Sequence, residues 1–512
     1  MLIGPTKNIL NSFKKKSNRN IVSNIFTKVF TSFIALIFVP IYVSIIGLDY
    51  FGIIAIFTLI SSIFGIFDLG ISNSLNRLIA VNIDNTNSYS KLINQTKALE
   101  ILYWLIGLIL ALIGIALSRF ISEQLAISNT FPPERMRYVI AIFAILFFIQ
   151  WPTNFYSAGL YGLQKHSLLN FSNIGMLLLR NLLGLVYLKF YDNSIEGFLI
   201  WQCIGYFVWT LTLFIIFHKV FPTNYVKFKF SFDLIKDLIP FAKGLFFISI
   251  FSVLITQFDK IILAKLLPIE QLGIYGISAI AASTVQYYAI GFYTAMFPKF
   301  SSLSSSNQNG DNQLKTLFNE VTMICAILTY TTMSIYVVYS FELIFLWTNN
   351  MEIVKASQNI IIVLTIATAF HSQSSLFLAL QLSKKQTLIP IVKNIMILTI
   401  LIPISIFFVK NYGVIGAAIA WLIVSALSLI FEPLITYKKI LGKGFSEWFI
   451  VSNLLPLSVS FTMVYLISNI LPKIENQWIS LFEIITVFIL VLITVYLVCT
   501  KAKIFMKKTQ LI

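Results

Sequence analysis

The stretch IIGLDYFGIIAIFTLISSIFGIFDLG, residues 45–70, is apolar apart from a few punctuating residues. A second stretch, LLPIEQLGIYGISAIAASTVQYYAIG, covers residues 266–291. Displaced by 221 positions, Asp49 falls on Glu270, Gly52 on Gly273 and Gly70 on Gly291. These matches carry the weight, because Ile and Leu coincide by chance in any two apolar segments. The same displacement sets Asn173 on Asn394, and a slip of one residue sets Trp201 on Trp421. An apolar chain whose punctuation recurs in this way reads as two related halves.

Composition fixes the class in which such halves occur. The 512 residues are 58% hydrophobic and 11% charged, with a mean hydropathy of +0.87. A soluble chain carries about 25% charged residues. Apolar runs of about 20 residues, the length that crosses a ~30 Å hydrocarbon layer, recur from end to end. The expected fold is therefore an all-α polytopic membrane protein. A β-barrel is excluded, since its strands alternate over about ten residues and these runs do not. The first run, Ile21 to Ile46, is too long for the 7–15-residue core of a signal peptide and reads as a retained first helix.

Hydropathy predicts about 14 transmembrane helices: 21–46, 50–71, 98–118, 137–160, 171–190, 196–217, 241–266, 273–297, 316–346, 358–380, 388–409, 414–437, 448–470 and 479–499. Equivalent segments of the repeat are separated by an even number of spans, so both copies cross in the same direction. The predicted organisation is two parallel six-helix lobes plus two C-terminal helices. The N-terminal lobe is 1–217, a cytoplasmic inter-lobe loop is 218–240, and the C-terminal lobe is 241–437. Residues 438–512 supply the two extra helices and a basic cytoplasmic tail. Repeated halves are a transporter signature, because the site lies where the halves meet.

The formal net charge of +17 is a topology signal. Of the 37 Lys and Arg, 25 fall on one side of the predicted spans, 8 on the other and 4 within them. The positive-inside rule places both termini in the cytoplasm, with the excess charge facing anionic headgroups and no nucleic acid as partner. Cys203, Cys325 and Cys499 have neither zinc nor redox spacing and read as packed thiols.

Several segments resemble the bacterial polysaccharide flippases, the O-antigen and capsule repeat-unit translocases of the multidrug/oligosaccharidyl-lipid/polysaccharide exporter superfamily. They are Pro40 in the first helix, GLDYFGI (47–53), FDLGISNSLNR (67–77), LYGLQKHSLLN (160–170), QFDKIILAKLLPIEQLGIYG (257–276) and NYGVIGAAIA (411–420). The resemblance covers most of the chain and identifies the superfamily better than the substrate. It implies a multi-pass protein of the bacterial cytoplasmic (inner) membrane that handles an undecaprenyl-diphosphate-linked oligosaccharide. Membrane lipid, a polysaccharide polymerase and a chain-length regulator are the partners it implies.

Cations inside the spans are the most informative residues, because a Lys or Arg at mid-span costs ~2.5–3.5 kcal/mol on insertion scales. Arg180 lies near the middle of the fifth span, with Asn173 and Gly184 near the same helical stripe. The expectation is that Arg180 lines a cavity and pairs with an anionic headgroup; the alternative is an Arg held by carbonyls or an acidic neighbour. Lys28 sits in a stripe of Asn24, Lys28, Thr31 and Ala35 on the first span. Lys260 and Asp259 lie toward the outer end of the seventh, below Ser249, Ser252 and Thr256. Lys393 is close to the cytoplasmic edge, where snorkelling is favoured. Arg180, Lys28, Lys260, Asn173 and Lys393 are the candidate substrate-binding residues, and Asp259 and Asp68 the candidate coupling-ion residues. Further polar stripes are Gln150, Asn154 and Ser157, and Thr365, Thr368, Ser372 and Ser375. Helix capping or a surface pair with Arg77 competes for Asp68.

Enzyme chemistry finds no support: there is no G-x-x-x-x-G-K-[ST], no D-x-D, no metal-ligand spacing and no cofactor motif. Cations in the first and fifth spans, with acidic residues near span ends, favour an anionic substrate. The reading is a flippase working by alternating access through a cationic lumen. A peptidoglycan lipid-precursor flippase and a drug/cation antiporter are the alternatives.

Overall fold

The computed structural model describes residues 36–68, 70–82, 89–124, 132–221, 239–304, 310–384, 388–471 and 477–509, with Thr27, Phe30, Thr31, Ile34 and Gln386. Their regular structure is helical throughout, as hydrocarbon demands: a helix satisfies its own backbone groups where water cannot. Eleven helices among these residues are long and apolar enough to cross a membrane. The chain is a multi-pass membrane protein. The helices are also apolar on the outside, as in α19 (Gln477–Thr509), where Phe482 is 72% exposed. Such faces fit lipid and not water.

The three other predicted segments differ in instructive ways. Eleven residues of 21–46 lie outside the described ones; its continuous described part is the short apolar helix α1 (Leu36–Ile46). Segment 241–266 is the helix α9 (Ile239–Leu266). Segment 273–297 is two helices, α10 (Ile269–Ser283) and α11 (Gln286–Ser304), broken at Thr284 and Val285. There Ser283 and Thr284 turn their hydroxyls back onto the carbonyls of Ile280 and Ala281, competing with the backbone ladder. Segment 137–160 is likewise two pieces, α5 (Pro133–Gln150) and α6 (Pro152–Gly162), because Pro152 has no N–H to continue the ladder.

The chain forms two compact units, residues 1–273 and 274–512. In the first, α2 (Leu48–Gly65), a 3-10 turn (Ile66–Asp68) and the amphipathic α3 (Ile71–Asn82) are followed by α4 (Tyr89–Gln124). Helices α5 and α6 come next, then α7 (His166–Phe190), α8 (Ile195–Val220) and α9. Helix α9 packs on α2 and α3, and α7 on α8 and α6. The core is aromatic: Trp151 stacks on Tyr103 at 4.8 Å, beside Phe155, Tyr156 and Phe217. Glycines admit these rings. A Cβ on Gly107 would stand 2.6 Å from Trp151 Cδ1, and one on Gly159 2.4 Å from Phe217 Cε2.

The repeated glycines of the opening stretches meet in this unit. A Cβ on Gly52 would lie 2.1 Å from the Ile269 carbonyl oxygen and 3.3 Å from the Gly273 nitrogen. The start of α2 and the start of α10 therefore touch backbone to backbone, which only glycine allows. That contact accounts for the Gly at position 52.

In the second unit, α12 (Gly310–Val338) packs on α11, α14 (Met351–Ser383), α18 (Leu455–Ile470) and α19. The short α13 (Ser340–Thr348) leads into α14, whose first turn is capped by Asn350 Oδ1 accepting from Glu352 and Ile353. Helices α15 (Leu388–Tyr412) and α16 (Val414–Thr436) form a hairpin through Gly413, at φ 62°. Val487, Val491 and Val495 make the seam by which α19 joins the core, its other faces being exposed.

Candidate functional site

Helices α7 and α8 are antiparallel neighbours joined by a four-residue turn, with Ser194 Oγ capping α8 through Gly197 N–H at 3.0 Å. Their shared face holds Arg180. Its guanidinium carbon lies 4.1 Å from the centre of the Tyr206 ring and 5.9 Å from that of Trp209. A cation over aromatic faces gains about 2 kcal/mol when desolvated, which offsets much of the cost of a mid-span charge. Gly205 makes the seat possible, since a Cβ there would stand 2.6 Å from Arg180 Cγ. The helix backbone at Arg180 is tied as well: Trp201 Nε1 donates to its carbonyl at 2.8 Å. One residue on, Tyr42 OH donates to Asn181 Oδ1 at 3.0 Å.

The aromatic seat leaves the cation's hydrogen bonds unmade. Arg180 Nε and Nη1 are buried without a partner, and so is Trp209 Nε1. Among the described residues no carboxylate forms a salt bridge with Arg180. These unmatched groups are all donors, so the complement is an acceptor, and an anionic one is favoured by the charge. Two turns away on α7, Asn173 Oδ1 and Ser172 Oγ are also buried and unpartnered. Both expectations for Arg180 as a structurally paired residue, a carbonyl cradle or an acidic neighbour, give way to the rings.

The other predicted residues are dispersed. Lys260 Nζ donates to Gln257 Oε1 at 3.0 Å, and its backbone N–H donates to Asp259 Oδ1 at 2.8 Å. Both lie on α9. Asp68 Oδ1 accepts from Ser72 Oγ at 2.6 Å and Tyr103 OH at 2.8 Å, which ties the 3-10 turn to α3 and α4. Lys28 lies outside the described residues. Of the stripe Thr365, Thr368, Ser372 and Ser375, Ser372 bonds the Thr368 carbonyl and Ser375 that of Ser372. Thr365 and Ser372 are fully buried in the second unit.

Lys393 has a carboxylate where the sequence favours snorkelling. Its Nζ lies 3.0 and 3.1 Å from the two oxygens of Glu432, with side chains 16% and 0% exposed. Gln381 Nε2 joins them, 3.3 Å from Glu432 Oε1 and 2.8 Å from Thr436 Oγ1. Sequence reasoning gave Glu432 no role; the available signal was one opposite charge near the same end of each of two successive helices. It also missed a network in the first unit. Tyr156 OH donates to Glu100 Oε1 at 2.8 Å and accepts from Trp104 Nε1 at 3.0 Å, while His218 Nε2 lies 3.4 Å from Glu100 Oε2. Arg135 forks onto Glu196 at 2.6 and 2.9 Å, joining α5 to α8.

Residues 17–304 match the family described as "Polysaccharide biosynthesis protein". A Shigella flexneri relative named "Putative O-antigen transporter" is 23% identical over 385 residues, covering 73% of this chain and 87% of that one. Among solved structures, the lipid II flippase MurJ in an inward closed conformation aligns with a TM-score of 0.61 and 16% identity. It covers 97% of this chain and 99% of that one. A MATE protein in complex with MaL6 aligns at 0.59 and 14% identity, over 83% and 96% of the two chains. At these identities the structural likeness shows a shared fold.

Proposed function

From the premise that the chain belongs to the polysaccharide biosynthesis protein family, we propose that it flips a lipid-linked anionic saccharide precursor across the bacterial inner membrane. The substrate class is an undecaprenyl-diphosphate-linked oligosaccharide repeat unit, destined for O-antigen or capsule polysaccharide. The observation that carries this reading is Arg180, a mid-span cation held by aromatic rings with its Nε and Nη1 donors unused. Such a group is ready to receive phosphate oxygens without first breaking a salt bridge. The rings keep the guanidinium in place while its donors change partner between water and substrate. Asn173, on the same helix, contributes a carbonyl and an amide suited to sugar hydroxyls.

Alternating access then needs the cation to be reachable from each side in turn, with the saccharide inside and the lipid tail in the bilayer. The chain's own part is binding and orientation; no bond of the substrate is made or broken. Lys260, Lys393 and Lys28 stand as secondary candidates for substrate binding, and Asp259 and Asp68 for coupling to an ion gradient.

Lipid extracts from cells lacking the protein test the reading. Diphosphate-linked oligosaccharide accumulates on the cytoplasmic leaflet; wild type and Arg180→Lys relieve it, and Arg180→Ala does not. Full relief by Arg180→Ala at wild-type expression refutes the role of the cation. Absence of accumulation, with new sensitivity to cationic dyes, replaces the flippase with an efflux pump.

A further inference from the structure

The turn between α16 and α18 encloses a second basic feature, which the transport reading leaves unused. A π-helix (Tyr437–Leu441) extends α16, and the short α17 (Phe445–Phe449) and another π-helix (Ile450–Leu454) lead into α18. Between them the chain reverses at Gly442-Lys443-Gly444, the two glycines at φ 74° and 109°. The reversal bounds a cavity of about 650 Å³, whose lining includes Leu434, Tyr437, Lys438, Lys443, Phe445 and Glu447.

Hydrogen bonds to α12 hold this turn. Lys315 Nζ donates to the Lys443 carbonyl, Tyr437 OH to Asn319 Oδ1 at 2.7 Å, and Trp448 Nε1 to Thr322 Oγ1 at 2.9 Å. Tyr437 and Trp448 are themselves buried in the core around Phe377. The lysine side chains therefore project from a fixed backbone. Lys438, Lys439 and Lys443 are exposed, and among the described residues none of them forms a salt bridge. Glu447 is the one acid in the lining.

We propose that this cavity binds the phosphate-bearing headgroup of an anionic membrane lipid. The turn joins two membrane-crossing segments, Val414–Leu441 and Phe445–Ile470, so it lies at headgroup depth. The distribution of basic residues puts that end on the cytoplasmic surface, where anionic lipid attracts Lys. Lys438 supplies the opposite charge from the first arm of the turn and Lys443 from its apex. Below them Leu434, Phe431 and Ile430 are exposed along α16 and offer an apolar wall to the acyl chains. Charge above and apolar surface below match a phospholipid and not a soluble anion. The site belongs to the second unit and does not involve Arg180.

The test uses the purified full-length protein in neutral detergent, with lipid binding followed by native mass spectrometry and by thermal melting. Dioctanoyl phosphatidylglycerol is expected to bind saturably and raise the melting temperature, whereas dioctanoyl phosphatidylcholine and inorganic phosphate do neither. The pair Lys438→Gln/Lys443→Gln lowers phosphatidylglycerol affinity roughly thirtyfold, from the usual contribution of each Lys near an anionic surface. Lys501→Gln and Arg180→Ala leave it unchanged. Retained affinity in the double variant overturns the proposal, as does a loss caused by Arg180→Ala alone, which would move the lipid to the transport site. Inorganic phosphate competing as well as the lipid also overturns it. Should the double variant be polydisperse, wild-type protein decides: binding that survives a rise from about 0.05 to about 0.5 M salt, about a threefold shortening of the Debye length, counts against a headgroup held by two lysines.

Discussion

Lys393→Met should destabilise the protein more than Glu432→Gln, although both break the same ion pair. The Glu432 carboxylate is 0% exposed and receives Lys393 at 3.0 and 3.1 Å, with only a longer 3.3 Å bond from Gln381 besides among the described residues. Removing Lys393 strands that carboxylate in the interior, which costs about 3–5 kcal/mol. Removing the charge on Glu432 instead leaves an ammonium that is 16% exposed on a four-carbon stem. That head can reach water, so the cost falls to about 1–2 kcal/mol. The double variant Lys393→Met/Glu432→Gln leaves no charge behind and recovers on the order of 2 kcal/mol relative to the sum of the singles. Unfolding free energies of the purified protein in detergent, arranged as a double-mutant cycle, read all three quantities. Equal single costs, or additivity within about 0.5 kcal/mol, would refute the reasoning, because then the two groups are neighbours without being partners.

The glycines separate in the same assay. Gly52→Ala meets a backbone carbonyl at 2.1 Å and should cost about 1–3 kcal/mol, whereas Gly175→Ala has open space and should stabilise α7 by about 0.5–1 kcal/mol. Gly205→Ala meets the movable stem of Arg180, so melting changes by less than about 1 kcal/mol while flipping, measured as relief of precursor accumulation, falls toward the Arg180→Ala level. Tyr156→Phe removes the hydroxyl between Glu100 and Trp104 and leaves a half-buried indole N–H without that partner, for a loss of about 0.5–1.5 kcal/mol in melting experiments.

The fold class is legible in the sequence because hydrocarbon imposes it: length and hydropathy alone mark where helices cross. Helix breaks are less legible. Trp151-Pro152 carries its signal in the proline, but the break at Thr284 and Val285 depends on hydroxyls choosing their own carbonyls, which no hydropathy window detects. At the candidate site, Arg180 stands out for its cost in a span. Its seat does not, because Tyr206 and Trp209 lie on the next helix, and aromatic residues are common enough in spans to pass unnoticed. The Lys393–Glu432 pair was hidden for the same reason: 39 residues separate its members, and only the α15–α16 hairpin brings them together. Gly52 and Gly273 were readable as a repeat, yet their direct contact is a property of packing.

The hairpin that pairs Lys393 with Glu432 has a consequence for how the chain enters its membrane. Lys393 is six residues into α15 and Glu432 five from the end of α16, so the Gly413 turn brings both charges to the same end. Released singly from the translocation machinery, each helix would carry an uncompensated charge into lipid, a burden of up to ~2.5–3.5 kcal/mol at mid-helix. Delivered together, the two helices present a neutral pair. Insertion of this part of the chain as a hairpin is therefore favoured, chiefly for the sake of the Glu432 carboxylate, which is 0% exposed.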